Sequence, residues 1–138
     1  MAQSLNKVWI HAVWSTKDHR SLIKPMIEKD VHQFIIEEFK VQGSPVRAVN
    51  GMPDHVHCLF LQNLQRSISE VIKNVKGHSS HMINQQDLLT EKFSWQPGYA
   101  AFSVSESNVE KVVQYIKNQK SRHQRQTYHD ELNSFFNN

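Results

Sequence analysis

Apolar positions recur along the chain first at strand spacing, then at helix spacing, and the alternation repeats. Val8-Trp9-Ile10-His11-Ala12-Val13-Trp14 is β-branched and aromatic, which predicts a buried first strand. After a polar link, Pro25 suits a first helical turn, and Ile27, Val31, Phe34, Ile35 and Glu38 follow at helical spacing until Gly43 stops the run. Pro45-Val46-Arg47-Ala48-Val49-Asn50 predicts a second strand. Asn50-Gly51-Met52-Pro53-Asp54 then reads as a turn that returns the chain, as an antiparallel hairpin, into the apolar strand His55-Val56-His57-Cys58-Leu59-Phe60-Leu61. Ser67-Ile68-Ser69-Glu70 has the form of a capping box and opens a helix with Ile68, Val71, Ile72 and Val75 on its buried stripe. A weaker helical pattern continues through Met82 and Ile83.

Phe93-Ser94-Trp95 and Tyr99-Ala100-Ala101-Phe102-Ser103-Val104 predict strand on either side of a Gln96-Pro97-Gly98 turn. A last helix is expected from Ser107 or Asn108 to at least Arg122, with Val109, Val112, Val113 and Ile116 as its core stripe. The tail from Gln126 is polar apart from Phe135 and Phe136, and is expected to fray or to dock on a partner. The order β-α-β-β-α-β-α predicts an α+β chain. Its first six elements form a ferredoxin-like split βαβ antiparallel sheet with helices on one face, and the C-terminal helix is left to cover the other.

Length and composition narrow this picture without redirecting it. A chain of 138 residues, 38% apolar and 21% charged, suits a single globular domain spanning 1–138. No apolar run is long enough for a membrane span and the first residues lack a signal-peptide core, so a cytoplasmic protein without a membrane partner is expected. The one cysteine, Cys58, falls on the strand face away from the histidines and should pack as a small apolar group. A net charge of +3 says little about partners, but every charged residue from Lys111 to Arg125 is positive, which suits either a solvated helix face or a polyanion surface.

The candidate chemistry lies in His55-Val56-His57. Alternate residues of a strand share a face, so the two imidazoles lie side by side, with Val56, Cys58 and Phe60 opposite. Two polar rings on an otherwise apolar strand need partners. They are either a pair of satisfied histidines or two ligands of a metal whose third ligand comes from elsewhere. Tyr115 and Gln119, at i and i+4 of the last helix, can point together at one spot on the face that helix would cover. His11 reads as a satisfied strand histidine, with roles as a partner orienting a ligand or as a nucleic-acid contact also open. Of Trp9, Trp14 and Trp95, at least two are expected in the core rather than as base-stacking platforms.

Four stretches share order and spacing with one family: Gly51-Met52-Pro53-Asp54-His55-Val56-His57, Lys76-Gly77-His78-Ser79-Ser80, Gly98-Tyr99-Ala100-Ala101-Phe102-Ser103-Val104-Ser105 and Tyr115-Ile116-Lys117-Asn118-Gln119. Together they resemble the single-tyrosine HUH transposases of the insertion-sequence 200 type, of which the REP-associated tyrosine transposases are close relatives. The H-x-H pair alone is a weak signal; its conjunction with Tyr-Ile-x-x-Gln about sixty residues later is specific. Cys58 and Phe60 depart from the leucines common there, and the tail beyond Gln126 matches no motif of the family.

The resemblance implies a DNA transposase that cleaves and rejoins single-stranded DNA through a 5′-phosphotyrosine. Tyr115 would be the nucleophile, and Mg²⁺ or Mn²⁺ would be held by His55, His57 and Gln119. It also implies a homodimer whose sites combine one subunit's histidines with the other's tyrosine helix, and substrates that include hairpin ends of a mobile element. Lys73, Lys76, Arg122 and Arg125 are candidate phosphate contacts, with surface charge as the plainer reading. Two other functions fit the same residues less fully. One is a single-strand-binding module without catalysis, which has no need of the Tyr115 and Gln119 spacing. The other is a metal-dependent phosphodiesterase using water, with Tyr115 structural.

Overall fold

A computed structural model of the chain describes residues 5–122 and 128–136. Four strands, β1 (Trp9–Ser15), β2 (Val46–Met52), β3 (His55–Leu61) and β4 (Ala100–Val104), form one antiparallel sheet in the order β2-β3-β1-β4. Helices α1 (Pro25–Val41) and α2 (Ile68–Gln85) connect them in the split βαβ arrangement. The last part of the chain is helical: α3 (Val109–Lys117), α4 (Gln119–Arg122) and α5 (Tyr128–Phe136). The α+β, ferredoxin-like expectation is met.

The strand alternation divides the interior in two. Ile10, Ala12 and Trp14 of β1 and Val56, Cys58 and Phe60 of β3 face α1 and α2. There they pack with Ile27, Val31, Phe34, Ile35 and Phe39 of α1 and with Val71, Ile72, Val75 and Ile83 of α2. Phe39 and Phe60 lie with ring centroids 4.5 Å apart across this layer. On the opposite face Leu59 meets Val109, Val113 and Ile116 of α3, with Trp9, Val104 and Tyr115 at the edge of the cluster. Cys58 is fully buried in the first layer, as expected, and burial pushes its thiol well up from the usual range. Trp14 and Trp95 are buried, while Trp9 is only partly covered and donates its indole N–H to Glu106.

Local signals act largely as the sequence suggests. Pro25 opens α1, the Ser67 hydroxyl accepts the Glu70 N–H at 3.1 Å at the head of α2, and Gly43, at φ 73°, follows the C-cap of α1. Three boundaries differ. Phe93-Ser94-Trp95 is not a strand. Phe93 and Trp95 enter the core as side chains, and only an isolated bridge joins Trp95 to Thr16. Asn50 and Gly51 belong to β2 and not to the turn, which shrinks to Pro53 and Asp54 between Met52 and its partner His55. Gly51 is there because β3 runs so close: a Cβ at this position would lie 2.2 Å from the His55 carbonyl oxygen.

The third difference bears on the site. One helix was expected to continue through Tyr115 and Gln119, but it breaks at Asn118 (φ −93°, ψ 17°). The Asn50 side-chain amide donates to the carbonyls of Ile116 at 3.0 Å and Lys117 at 3.1 Å, holding the end of α3 from across the sheet. Lys120 fastens α4 in turn, donating to Asn50 Oδ1 at 3.1 Å and to Glu28 of α1 at 2.9 Å.

Candidate metal and nucleophile centre

The centre is built on β3. The pleat that sends Val56 and Cys58 into the first layer turns His55 and His57 to the second, and both rings are fully buried. Each uses its Nδ1 on an outer partner. His55 Nδ1 lies 2.7 Å from Asp54 Oδ1 and His57 Nδ1 lies 2.9 Å from His11 Nε2. His11 is thus the orienting partner of a candidate ligand. Its burial, and then the charge of His57, lowers its pKa to about 3, so it sits there as a neutral ring. With Nδ1 engaged outward, both Nε2 atoms turn toward one point under α3 and α4.

At that point the structure places a residue that the sequence reading did not single out. Glu131, on α5, is fully buried; its Oε1 lies 2.9 Å from His57 Nε2 and 3.5 Å from His55 Nε2. Its Oε2 accepts the Gln119 side-chain amide at 2.9 Å and the Tyr115 hydroxyl in a very short contact. Gln119 is buried as well, and its amide oxygen faces His55 Nε2 at 3.2 Å. Burial works to raise the Glu131 carboxyl, but hydrogen bonds from His55, His57 and Tyr115 outweigh it and hold the group well below the usual carboxylate range. Burial likewise works to lower His55, but bonds to Asp54 and Glu131 and their charges prevail and raise it.

Such a donor set fits a metal ion. Ligand atoms of His55, His57 and Glu131 lie within 4.8 Å of one another, all three side chains are buried, and both imidazoles are locked by outer partners in the orientation a ligand needs. The buried group His55, His57 and Glu131 can therefore bind a divalent cation.

Tyr115 is partly buried. It packs against the Val109, Val113 and Ile116 cluster, with its ring centroid 5.6 Å from that of His57 and 5.9 Å from that of His11. Tyr99 is exposed on the approach to β4, and the Tyr128 side chain lies outside the described residues. Lys73 is exposed on α2 and Lys76 half-buried. The Lys76 ammonium donates to the carbonyls of Gln96 and Gly98, 2.8 Å each, and so fastens the loop before β4. Both belong to the layer across the sheet from the histidines. The Arg122 side chain and all of Arg125 lie outside the described residues.

Among the described residues no helix is long and apolar enough to cross a membrane. The chain is 27% identical over 114 residues to the ISDra2 transposase TnpA of Deinococcus radiodurans, an alignment covering 79% of this chain and 81% of that protein. Its fold is similar to a crystal structure from Deinococcus radiodurans R1 assigned as a transposase (TM-score 0.68, 26% identity, 86% of this chain and 98% of that one). It is also similar to a REP-associated tyrosine transposase bound to a REP hairpin (TM-score 0.63, 18% identity, 89% and 74%); at that identity the likeness is one of fold. The IS200-like transposase family model matches residues 4–119, from β1 through the first residue of α4, and the chain belongs to that family of DNA-processing enzymes.

Proposed function

We propose that this transposase cleaves and rejoins single-stranded DNA through a 5′-phosphotyrosine on Tyr115, at a centre where His55, His57 and Gln119 hold Mg²⁺ or Mn²⁺. The observation that carries the reading is the convergence of the Tyr115 hydroxyl, the Gln119 amide and both imidazoles on one buried carboxylate. A nucleophile must sit beside the groups that neutralise phosphate charge, and here the Tyr115 hydroxyl and both imidazoles meet on the two oxygens of one carboxylate.

In the cleavage step the Tyr115 oxygen bonds to a backbone phosphorus and the bond from phosphorus to the 3′ oxygen breaks, leaving a 3′-OH. The phenolic proton, which already faces Glu131 Oε2, leaves in that direction, and the departing 3′ oxygen takes up a proton from water to become the 3′-OH. Attack by a second 3′-OH reverses the step and rejoins DNA without a nucleotide cofactor. A bound divalent ion would supply charge stabilisation at a nonbridging phosphate oxygen. His11 and Asp54 keep the two imidazoles turned inward throughout.

Lys73, Lys76, Arg122 and Arg125 remain candidate contacts to the DNA backbone. A hairpin at the end of a mobile element is a fitting substrate, given the hairpin carried by the REP-associated structural relative. The chain would act as a homodimer in the cytoplasm. Because one chain alone already joins Tyr115, Gln119, His55 and His57, we infer that its sites can also be complete within a single subunit.

The deciding experiment incubates the protein and a labelled single-stranded oligonucleotide with Mn²⁺, followed by denaturing electrophoresis and peptide mapping. A covalent adduct at Tyr115, lost in Tyr115→Phe with folding and DNA binding retained, is expected. Cleavage without an adduct would leave a water-dependent phosphodiesterase. Binding without cleavage would leave a binding module.

A further inference from the structure

We propose that Glu131 makes α5 a metal-responsive element: its carboxylate is a ligand of the centre, so that divalent-metal binding and docking of the C-terminal helix are one coupled event that also sets the Tyr115 hydroxyl. This rests on reading the centre as a divalent-metal site.

The first support is the way α5 is held. Among its described side chains Glu131 alone is buried: His129, Asp130, Asn133 and Ser134 are exposed and Leu132 is partly covered. Here a carboxylate goes in, and burying a charge is unfavourable unless the receiving site needs it.

The second support is the chemistry of the receiving site. Two imidazoles and an amide carry no formal charge and form a weak set for Mg²⁺ or Mn²⁺, which favour charged oxygen ligands. Glu131 Oε1 supplies that oxygen at the point where the two Nε2 atoms converge. The third support is the division of labour between the two oxygens. While Oε1 faces the imidazoles, Oε2 accepts from Gln119 Nε2 and from the Tyr115 hydroxyl. It thereby fixes which end of the Gln119 amide turns to His55 and where the nucleophilic oxygen rests. Glu131 lies beyond residues 4–119, the part that matches the family model.

Two-site linkage then requires reciprocity: if docked α5 tightens metal binding, metal must tighten docking by the same factor. The test uses the full chain and Mn²⁺ itself. Titration calorimetry compares wild type, Glu131→Gln, Glu131→Ala and, as control, Glu106→Gln. Hydrogen exchange follows the amides of 128–136 in wild type with and without Mn²⁺. Both Glu131 variants should bind Mn²⁺ more weakly, by on the order of 10–100-fold, the range found even for groups that only orient ligands. The control should bind as wild type, and Mn²⁺ should slow exchange across α5.

Unchanged affinity in Glu131→Gln would overturn the proposal, as would tighter binding, which would make the carboxylate an occluding group. Exchange across α5 indifferent to Mn²⁺ would overturn it too, and this readout does not depend on any variant folding. If wild type binds Mn²⁺ through His57 while the Glu131 variants bind equally well, only this inference falls. If wild type binds no Mn²⁺ at all, the metal reading of the centre falls with it.

Discussion

Replacing Gly51 by alanine should damage both the fold and the centre, by an amount the geometry allows one to anticipate. The added Cβ would stand 2.2 Å from the His55 carbonyl oxygen and 2.9 Å from Val56 Cα. Both are backbone atoms, so no side-chain rotation relieves the contact. An ordinary carbon-to-oxygen approach is about 3.3 Å, so β2 and β3 must part by roughly 1 Å at this point. Overpacking of this kind costs on the order of 1–3 kcal/mol. With a urea dependence of about 1–3 kcal/mol per M, the midpoint of unfolding should fall by on the order of 1 M.

Since His55 is the residue displaced, and metal sites tolerate only about 0.2 Å in ligand distance, Mn²⁺ affinity should fall as well. Gly77→Ala is the matched control. Gly77 sits inside α2 where an added Cβ would meet nothing within 4 Å beyond the helix's own nearby backbone, so alanine there should stabilise by about 0.5–1 kcal/mol. Urea denaturation followed by tryptophan fluorescence and Mn²⁺ titration of both variants provides the measurement. A Gly51→Ala protein with wild-type midpoint and wild-type affinity would refute the claim that strand proximity dictates glycine at this position.

Asp54→Ala removes the acceptor at 2.7 Å from His55 Nδ1 and should weaken Mn²⁺ binding by roughly 10–100-fold with little change in the far-ultraviolet spectrum; equal affinity would remove Asp54 from the site. His57→Ala should abolish metal-dependent cleavage while leaving the fold largely intact, and full activity of that variant would exclude His57 as a ligand. Because the pKa of His55 is raised above 6.5, protons compete with metal for its Nε2 from above that pH; Mn²⁺ affinity should therefore fall as pH drops through the neutral range, and a pH-independent affinity would contradict it. The thiol of Cys58, fully buried with its pKa pushed up, should resist a thiol reagent in the native protein and react on unfolding; rapid native labelling would mean that the α1–α2 layer opens readily. Mixing Tyr115→Phe with His57→Ala tests for shared sites: regained activity after subunit exchange means that sites cross between subunits, and none means that each chain completes its own.

The sheet was legible because its signals are local. The alternation in β3 places His55 and His57 on one face whatever the rest of the chain does, and the Ser67 cap and Pro25 mark helix starts within a few residues. Interpreting Asn50-Gly51 as a turn failed because glycine has two uses, and here the close approach of β3 decided which one applied. The break at Asn118 was out of reach because its cause, the Asn50 amide, comes from the far side of the hairpin. Tyr115 and Gln119 were found through spacing joined to resemblance.

Glu131 was missed for the reason that the tail appeared featureless: a single glutamate among polar residues carries no periodic mark, and the matched family region ends at 119. One faint signal exists in the sequence, since Tyr128, Glu131 and Phe135 fall at helical spacing, which makes Glu131 the polar member of an otherwise aromatic stripe.

The placement of the histidines also makes sheet register self-checking. A β3 shifted by one residue against β1 and β2 would turn His55 and His57 into the layer of Phe39, Ile72 and Val75, and would turn Val56, Cys58 and Phe60 out toward Glu131. Each imidazole stranded among aliphatic groups would cost about 2–7 kcal/mol, and the carboxylate would lose its partners at the same stroke. Misregistered sheets of this chain are therefore poorly stable, so that molecules surviving the cell's proteolytic clearance are those in which the face carrying the histidines is correctly assembled.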